Sequence, residues 1–247
     1  MKIKVCTIFF LISLYSATSI SAECVILLHG LARTSSSMQE LENKLANEGF
    51  LVANIDYPSR KMKIEQLAEL AVNRGLKRCD EKSASPINFV THSLGGILVR
   101  QFYKKHALKD VKRVVMLGPP NNGSEIIDNL KNIPGYELLN GPAGMQLGTA
   151  EGDIPKSLGE VNFELGVIAG THSINWILSS YLPNPDDGKV SVQSTKVKGM
   201  CGFVTLPVTH PFIMTNDGVI DEVISFLASG KFKQESAIDY CPDKKVI

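Results

Sequence analysis

The segment Ile87-Asn88-Phe89-Val90-Thr91-His92-Ser93-Leu94-Gly95-Gly96 constrains this chain more than any other. A mostly apolar strand pattern runs directly into a serine, and glycines follow where a helix must begin. That order puts Ser93 at the tip of a sharp strand-to-helix turn, the geometry of a nucleophile elbow. Small residues must flank such a serine because its strained backbone brings the neighbouring chain very close. The pattern of this turn is G-x-S-x-G, and Thr91 stands here in place of the first glycine. The competing reading is an ordinary helix start capped by a serine hydroxyl.

The rest of the chain supplies a setting for that turn. Short apolar runs alternate with amphipathic stretches, as in a parallel sheet whose strands are joined by crossover helices. Strands are expected at Cys24–Leu28, Leu51–Ile55, Ile87–Thr91, Val111–Leu117, Leu165–Ala169 and Gly202–Leu206. Ser37 with Glu40 reads as a capping box ahead of Met38, Leu41 and Leu45, and Gly49 ends that helix. Ile64, Leu67, Ala68 and Ala71 mark the next helical face. A helix runs from Gly95 to about His106, and Val219–Leu227 forms the last, with Asn216 or Asp217 as its N-cap. Residues 119–159 are rich in Gly, Pro and Asn, too long for plain connection, and are expected to form a cap or lid. A wandering surface loop with one short helix is the alternative.

Composition bounds what this chain acts on. Its 247 residues are 44% hydrophobic and carry a formal net charge of +1. That suits one domain with a sizeable core and gives no electrostatic footprint for nucleic acid. Lys2 and Lys4 precede an apolar run over Val5–Ile12 and a small-residue stretch ending at Ala22, the layout of a secretory signal spanning 1–22. The apolar run is shorter than the ~20 residues of a membrane span. Glu23 also disfavours a lipid anchor at Cys24. Cleavage would leave 24 basic against 25 acidic side chains, with a single domain from 23 to 247. The expected destination is the periplasm or the medium, where the even set Cys24, Cys79, Cys201 and Cys241 would pair. No C-x-x-C or clustered His/Cys spacing suggests a metal.

His29-Gly30-Leu31 follows the first strand. In elbow hydrolases an oxyanion is held by one backbone N–H after the nucleophile and one from this loop, here Leu94 and Leu31. Together with His92-Ser93-Leu94-Gly95-Gly96 and Gly118-Pro119-Pro120-Asn121-Asn122-Gly123-Ser124, this resembles the α/β-hydrolase superfamily. The likeness is to its bacterial lipase and esterase branch and to related phospholipid and GPI-deacylase-like families. It implies an α/β-hydrolase fold, a mostly parallel sheet flanked by helices and shortened at the N-terminus, with a cap insertion. It also implies hydrolysis of a small-molecule or lipid ester, brief contact with lipid surfaces, and no cofactor.

The order in this superfamily is Ser, acid, His. Of the histidines beyond Ser93, His106 falls at a helix end, and His172 has no acid between itself and the preceding strand. His210 sits between the last expected strand and the final helix, where a triad base belongs. His29 precedes the serine and reads as structural. The acid lies in the loop Asp186-Asp187-Gly188-Lys189-Val190, and resemblance to the N-D-G-x-V turn of such lipases selects Asp187. Asp217-Gly218 has the same shape but comes after His210, and Asp153 lies in the cap. Some bacterial lipases hold calcium partly through an Asp two residues past the triad His, where this chain has Phe212. In such a fold the first and third strands are adjacent, which implies Cys24–Cys79 and leaves Cys201–Cys241. An acyltransferase or thioesterase using the same triad, and a silent hydrolase fold used for binding, are the competing functions.

Overall fold

The strands that carry the site are mostly apolar because both of their faces are covered. All five residues of β1 (Cys24–Leu28) are buried, as expected for a parallel strand between two helical layers. The computed structural model describes residues 22–107 and 110–241; the expected signal segment, 1–22, lies outside them except for Ala22. After β1 come α1 (Gln39–Asn47), β2 (Leu51–Ile55), α2 (Ile64–Asp80), β3 (Ile87–His92), α3 (Leu94–Lys105) and β4 (Val111–Leu117). Three short helices follow: α4 (Glu125–Leu130), α5 (Tyr136–Met145) and α6 (Ile154–Ser157). The chain continues with β5 (Leu165–Gly170), α7 (Trp176–Ser179), α8 (Val192–Thr195), β6 (Gly202–Leu206), α9 (Asp217–Ser229) and β7 (Ile238–Asp239).

Among the described residues the sheet has seven strands in the order β2-β1-β3-β4-β5-β6-β7. All neighbours are parallel except β7, which pairs antiparallel with β6. Alternation along β1 divides the core. Ile26 and Leu28 join Leu67, Phe89, Leu98 and Met116 under α2 and α3. Val25 and Leu27 join Leu41, Val90, Leu117, Val219 and Phe226 under α1 and α9. The chain leaves β1 for β2 on one side and returns as β3 on the other. That reversal opens a crevice at the carboxyl ends of β1 and β3, where ligands bind in sheets of this kind.

The six expected strands form with their ends shifted by no more than one residue. β7 is only two residues long, too short to leave a periodic signal. The expected capping box at Ser37 and Glu40 is not made. Ser37 lies in a 3-10 turn (Ser35–Met38), its hydroxyl donates to Thr34 O at 2.7 Å, and α1 begins at Gln39. That entry is held from outside, since the Ser35 N–H donates to Asp56 Oδ1 (3.0 Å) at the end of β2. At α9 the cap is Asn216, whose Oδ1 accepts from the Val219 N–H at 3.1 Å.

The stretch 119–159 folds into short helical segments, with α5 broken by a kink at Gly141, rather than one loop, and long-range contacts hold it. The Arg100 guanidinium, 4% exposed, donates to the carbonyls of Asn121 (2.8 Å) and Gly159 (2.6 Å), so one side chain of α3 grips both ends of the excursion. Its burial without a carboxylate partner among the described residues pulls its pKa down to about 10. Gln146 Oε1 accepts from the Ile64 N–H (2.7 Å) at the start of α2. Cys24–Cys79 ties β1 to the end of α2, and Cys201–Cys241 ties the residue before β6 to the tail. No helix among the described residues is long and apolar enough to cross a membrane.

Candidate active site

Ser93 closes β3 with φ 52° and ψ −117°, a conformation that L-residues rarely adopt. Its N–H donates to Leu117 O (2.9 Å) of the adjacent strand, so sheet pairing holds the strained residue. Gly95 is needed for closeness: a Cβ there would lie 2.5 Å from Leu28 O. Thr91 fits at the departed position because its buried hydroxyl donates to Val115 O (3.5 Å) within the sheet. Leu94 is the first residue of α3, and first-turn amides have no acceptor within their own helix. Leu31 follows β1 in a tight turn in which Ala32 has φ 56°.

The structure brings His210 and Asp187 together although 23 residues separate them. His210 Nδ1 donates to Asp187 Oδ2 at 2.7 Å, and the His210 N–H donates to Asp187 O at 2.9 Å. The other carboxylate oxygen, Oδ1, accepts from the N–H groups of Lys189 (3.0 Å) and Val190 (2.9 Å). The acid is therefore fully hydrogen-bonded, buried and fixed in orientation. Gly118, with φ 53°, passes directly beneath the pair: a Cβ there would lie 2.9 Å from Asp187 Oδ2 and 3.2 Å from His210 Nδ1. With Nδ1 engaged, Nε2 remains for the cleft that His210 and Ser93 both line.

The cleft has a volume of about 380 Å³. Its walls include Leu31, Ile126, Ile127, Leu147, Leu178 and Val190. Two residues next in sequence to the lining stand out into solvent: Trp176 is 80% exposed and Phe212 59%. Ile126, Ile127 and Leu147 of this wall come from 119–159. Leu178 and Val190 come from a second excursion between β5 and β6, which the sequence marks only at its loop 186–190. Its helices have four residues each, shorter than any periodicity test can register.

The remaining candidates do other work. Buried His29 stacks on Tyr57 (4.0 Å), donates from Nδ1 to Gly30 O (2.9 Å) and accepts at Nε2 from the Tyr57 N–H (3.3 Å). Burial lowers its pKa, so it is a neutral fastener of the Leu31 turn. His106 bonds Glu69 (2.8 Å), and His172 is exposed outside the cleft lining. Asp186 accepts from the Gly188 N–H (2.7 Å) and from Ser179, which shapes the loop that presents Asp187. Asp217 opens α9 and pairs with Lys44, and Asp153 precedes α6 and accepts from the Ala150 N–H.

His92, quoted above only as part of the motif, also touches the site. Its Nε2 donates to His210 O at 3.1 Å, with ring centroids 4.8 Å apart. Burial, reinforced by His210, holds its pKa well below the usual imidazole value, so it stays neutral. No group of three or more His, Cys, Asp or Glu among the described residues could hold a metal ion.

Comparison with known proteins bears on the fold and on the first half of the chain. No curated protein matches the sequence. Among solved structures, the mature lipase BlEst2 of Bacillus licheniformis is 17% identical with a TM-score of 0.65, over 85% of this chain and 92% of that one. Lipase B of Aspergillus fumigatus is 16% identical with a TM-score of 0.64, over 84% of this chain and 52% of that one. The phospholipase PlaB of Legionella pneumophila is 17% identical with a TM-score of 0.62, over 77% and 53%. The chain thus spans nearly all of one neighbour and about half of the other two, and at this identity the likeness is one of fold. The family model of the palmitoyl protein thioesterases matches residues 24–153, from β1 to the threshold of α6, including Ser93 but not Asp187 or His210. That match covers more than half of the sequence, and this α/β-hydrolase chain belongs to the palmitoyl protein thioesterase family.

Proposed function

We propose that this chain is a serine hydrolase that cleaves carboxylic esters and thioesters through an acyl-enzyme on Ser93. The observation that carries the reading is the 2.7 Å bond from His210 Nδ1 to a buried, fully bonded Asp187, beside a cleft that His210 shares with a strained serine. Asp187 holds the imidazole in the tautomer whose Nε2 accepts a proton, and stabilises the imidazolium that forms. His210 takes the Ser93 proton as Oγ attacks the carbonyl. The N–H groups of Leu31 and Leu94 hold the resulting oxyanion. Collapse of the tetrahedral intermediate expels the alcohol or thiol, which leaves with the proton from His210. Water, activated by the same imidazole, then releases the acid from Ser93.

The apolar walls suit an acyl chain, and the exposed Trp176 and Phe212, each next in sequence to a lining residue, suit contact with a lipid surface. On this reading residues 23–247 are one domain, with 119–159 as its cap. Family membership favours thioesters among the bonds cleaved. Two disulfides among the described residues accord with export to an oxidising compartment. Ser93→Ala should lower ester turnover by roughly 10⁴-fold or more and abolish labelling by a fluorophosphonate. Wild-type turnover in that variant would sink the reading. Adding an acceptor alcohol and analysing products separates hydrolysis from acyl transfer.

A further inference from the structure

The cleft is not only apolar. Arg33 and Lys189 line it, and among the described residues its lining contains no Asp or Glu. Arg33 follows the Leu31 turn, and its Nη2 donates to Pro211 O (3.3 Å), the residue next to His210. Lys189 has its main chain fixed at both ends: its N–H donates to Asp187 Oδ1 (3.0 Å), and its carbonyl accepts from Ser124 Oγ (2.8 Å). Neither side chain forms an ion pair with a carboxylate among the described residues. Asp187 attracts Lys189 electrostatically, but its oxygens are hydrogen-bonded to His210 and to main-chain amides. Two cations that make no salt bridge among the described residues therefore line the cleft of a chain whose net charge is only +1. A concave wall of one sign concentrates ligands of the other.

We infer that Arg33 and Lys189 select substrates whose leaving group carries an anionic group, a phosphate above all, close to the scissile ester bond. The inference rests on the serine-hydrolase reading and adds the substrate's charge to it. Both residues are solvent-exposed at the lining of the cleft that holds Ser93, so an anion they meet is one close to the ester. A phosphate on the glycerol that bears the acyl group meets this condition. The phosphates of coenzyme A lie at the far end of a long arm from the thioester and do not.

The test compares matched substrates at monomeric concentration and low salt: octanoylglycerol phosphate against octanoylglycerol, and octanoyl-coenzyme A against octanoyl-N-acetylcysteamine. For the first pair kcat/KM should favour the phosphate by about tenfold or more, the size of a charge-assisted contact. The preference should shrink as salt rises. Arg33→Gln and Lys189→Gln should each lower that ratio several-fold, the double variant should bring it near one, and Arg33→Lys should keep most of it. Fluorophosphonate labelling of each variant checks that the Ser93 site is intact. A wild-type ratio near one overturns the inference, as does a ratio unchanged in the variants. An equal loss on both substrates does the same, since it assigns the cations to the oxyanion. A preference confined to the coenzyme A pair overturns the placement of the anion near the ester. If neither member of either pair is turned over, the serine-hydrolase reading fails first, and this inference with it.

Discussion

The site has two halves built on different principles. Ser93, the Leu31 turn and Gly118 sit at the ends of β3, β1 and β4, where strands a few ångströms apart leave almost no choice of backbone. A methyl group on Gly95 would lie 2.5 Å from Leu28 O. The other half, Asp187 with the cleft walls, hangs from excursions after β4 and β5. It is held by single long-range links such as Arg100 to Gly159 and Ser124 to Lys189. The comparison teaches that Ser93 is positioned by the sheet itself, whereas Asp187 and the walls depend on a few side chains elsewhere.

The largest expected effect tests the excursion half at its most local. Asp187→Asn should lower kcat by about 10⁴-fold, because an amide there favours the wrong imidazole tautomer. Asp186→Asn, one residue away, should cost no more than about tenfold, as it only shapes the loop. Equal losses in the two would erase the distinction between them.

Arg100→Ala next breaks the link between the halves. It strands several buried carbonyls and should cost about 3 kcal/mol, read as a Tm drop near 10 °C. KM should rise more than kcat falls if the excursion forms the acyl wall. Changing Cys24 and Cys79 together to Ala tests the sheet half instead. Their 55-residue separation sets an expected loss of about 2–4 kcal/mol. Ser93 should still react with a fluorophosphonate at low temperature, since the elbow geometry does not depend on that bond.

The smallest effect concerns pH. Burial holds His29 below, and His92 well below, the ordinary value of 6.5. The unfolded chain regains ordinary proton affinity, so below about pH 6.5 it binds protons that the native state refuses. Stability should therefore fall on acidification, by up to about 1.4 kcal/mol per pH unit for each histidine. Denaturant titrations from pH 7.5 to 5 should show a shallower fall in His92→Gln. An unchanged slope would mean that His92 gains its proton without penalty in the fold.

Much of this architecture was legible before any coordinates. The six longer strands announce themselves as apolar runs because parallel strands bury both faces. Ser93 is marked because only small residues tolerate its turn. The capping box at Ser37 misled because the Ser37 N–H and hydroxyl both turn back to Thr34 O in a 3-10 turn, while Asp56, just past β2, anchors that turn through the Ser35 N–H. The walls between β5 and β6 and the grip of Arg100 were not legible. Four-residue helices leave no period, and an arginine in an amphipathic helix looks solvated until its carbonyl partners arrive.

The sequence by itself thus determined the sheet, the turn at Ser93 and the order of candidate residues after it, since each follows from local sterics and from burial repeated along the chain. Only the tertiary structure decided which oxygen of which aspartate meets His210, that His92 backs the same histidine, and that Arg33 and Lys189 share one cleft without an acid. Those facts depend on segments far apart in the chain arriving at the same place, and nothing in a local pattern encodes that meeting.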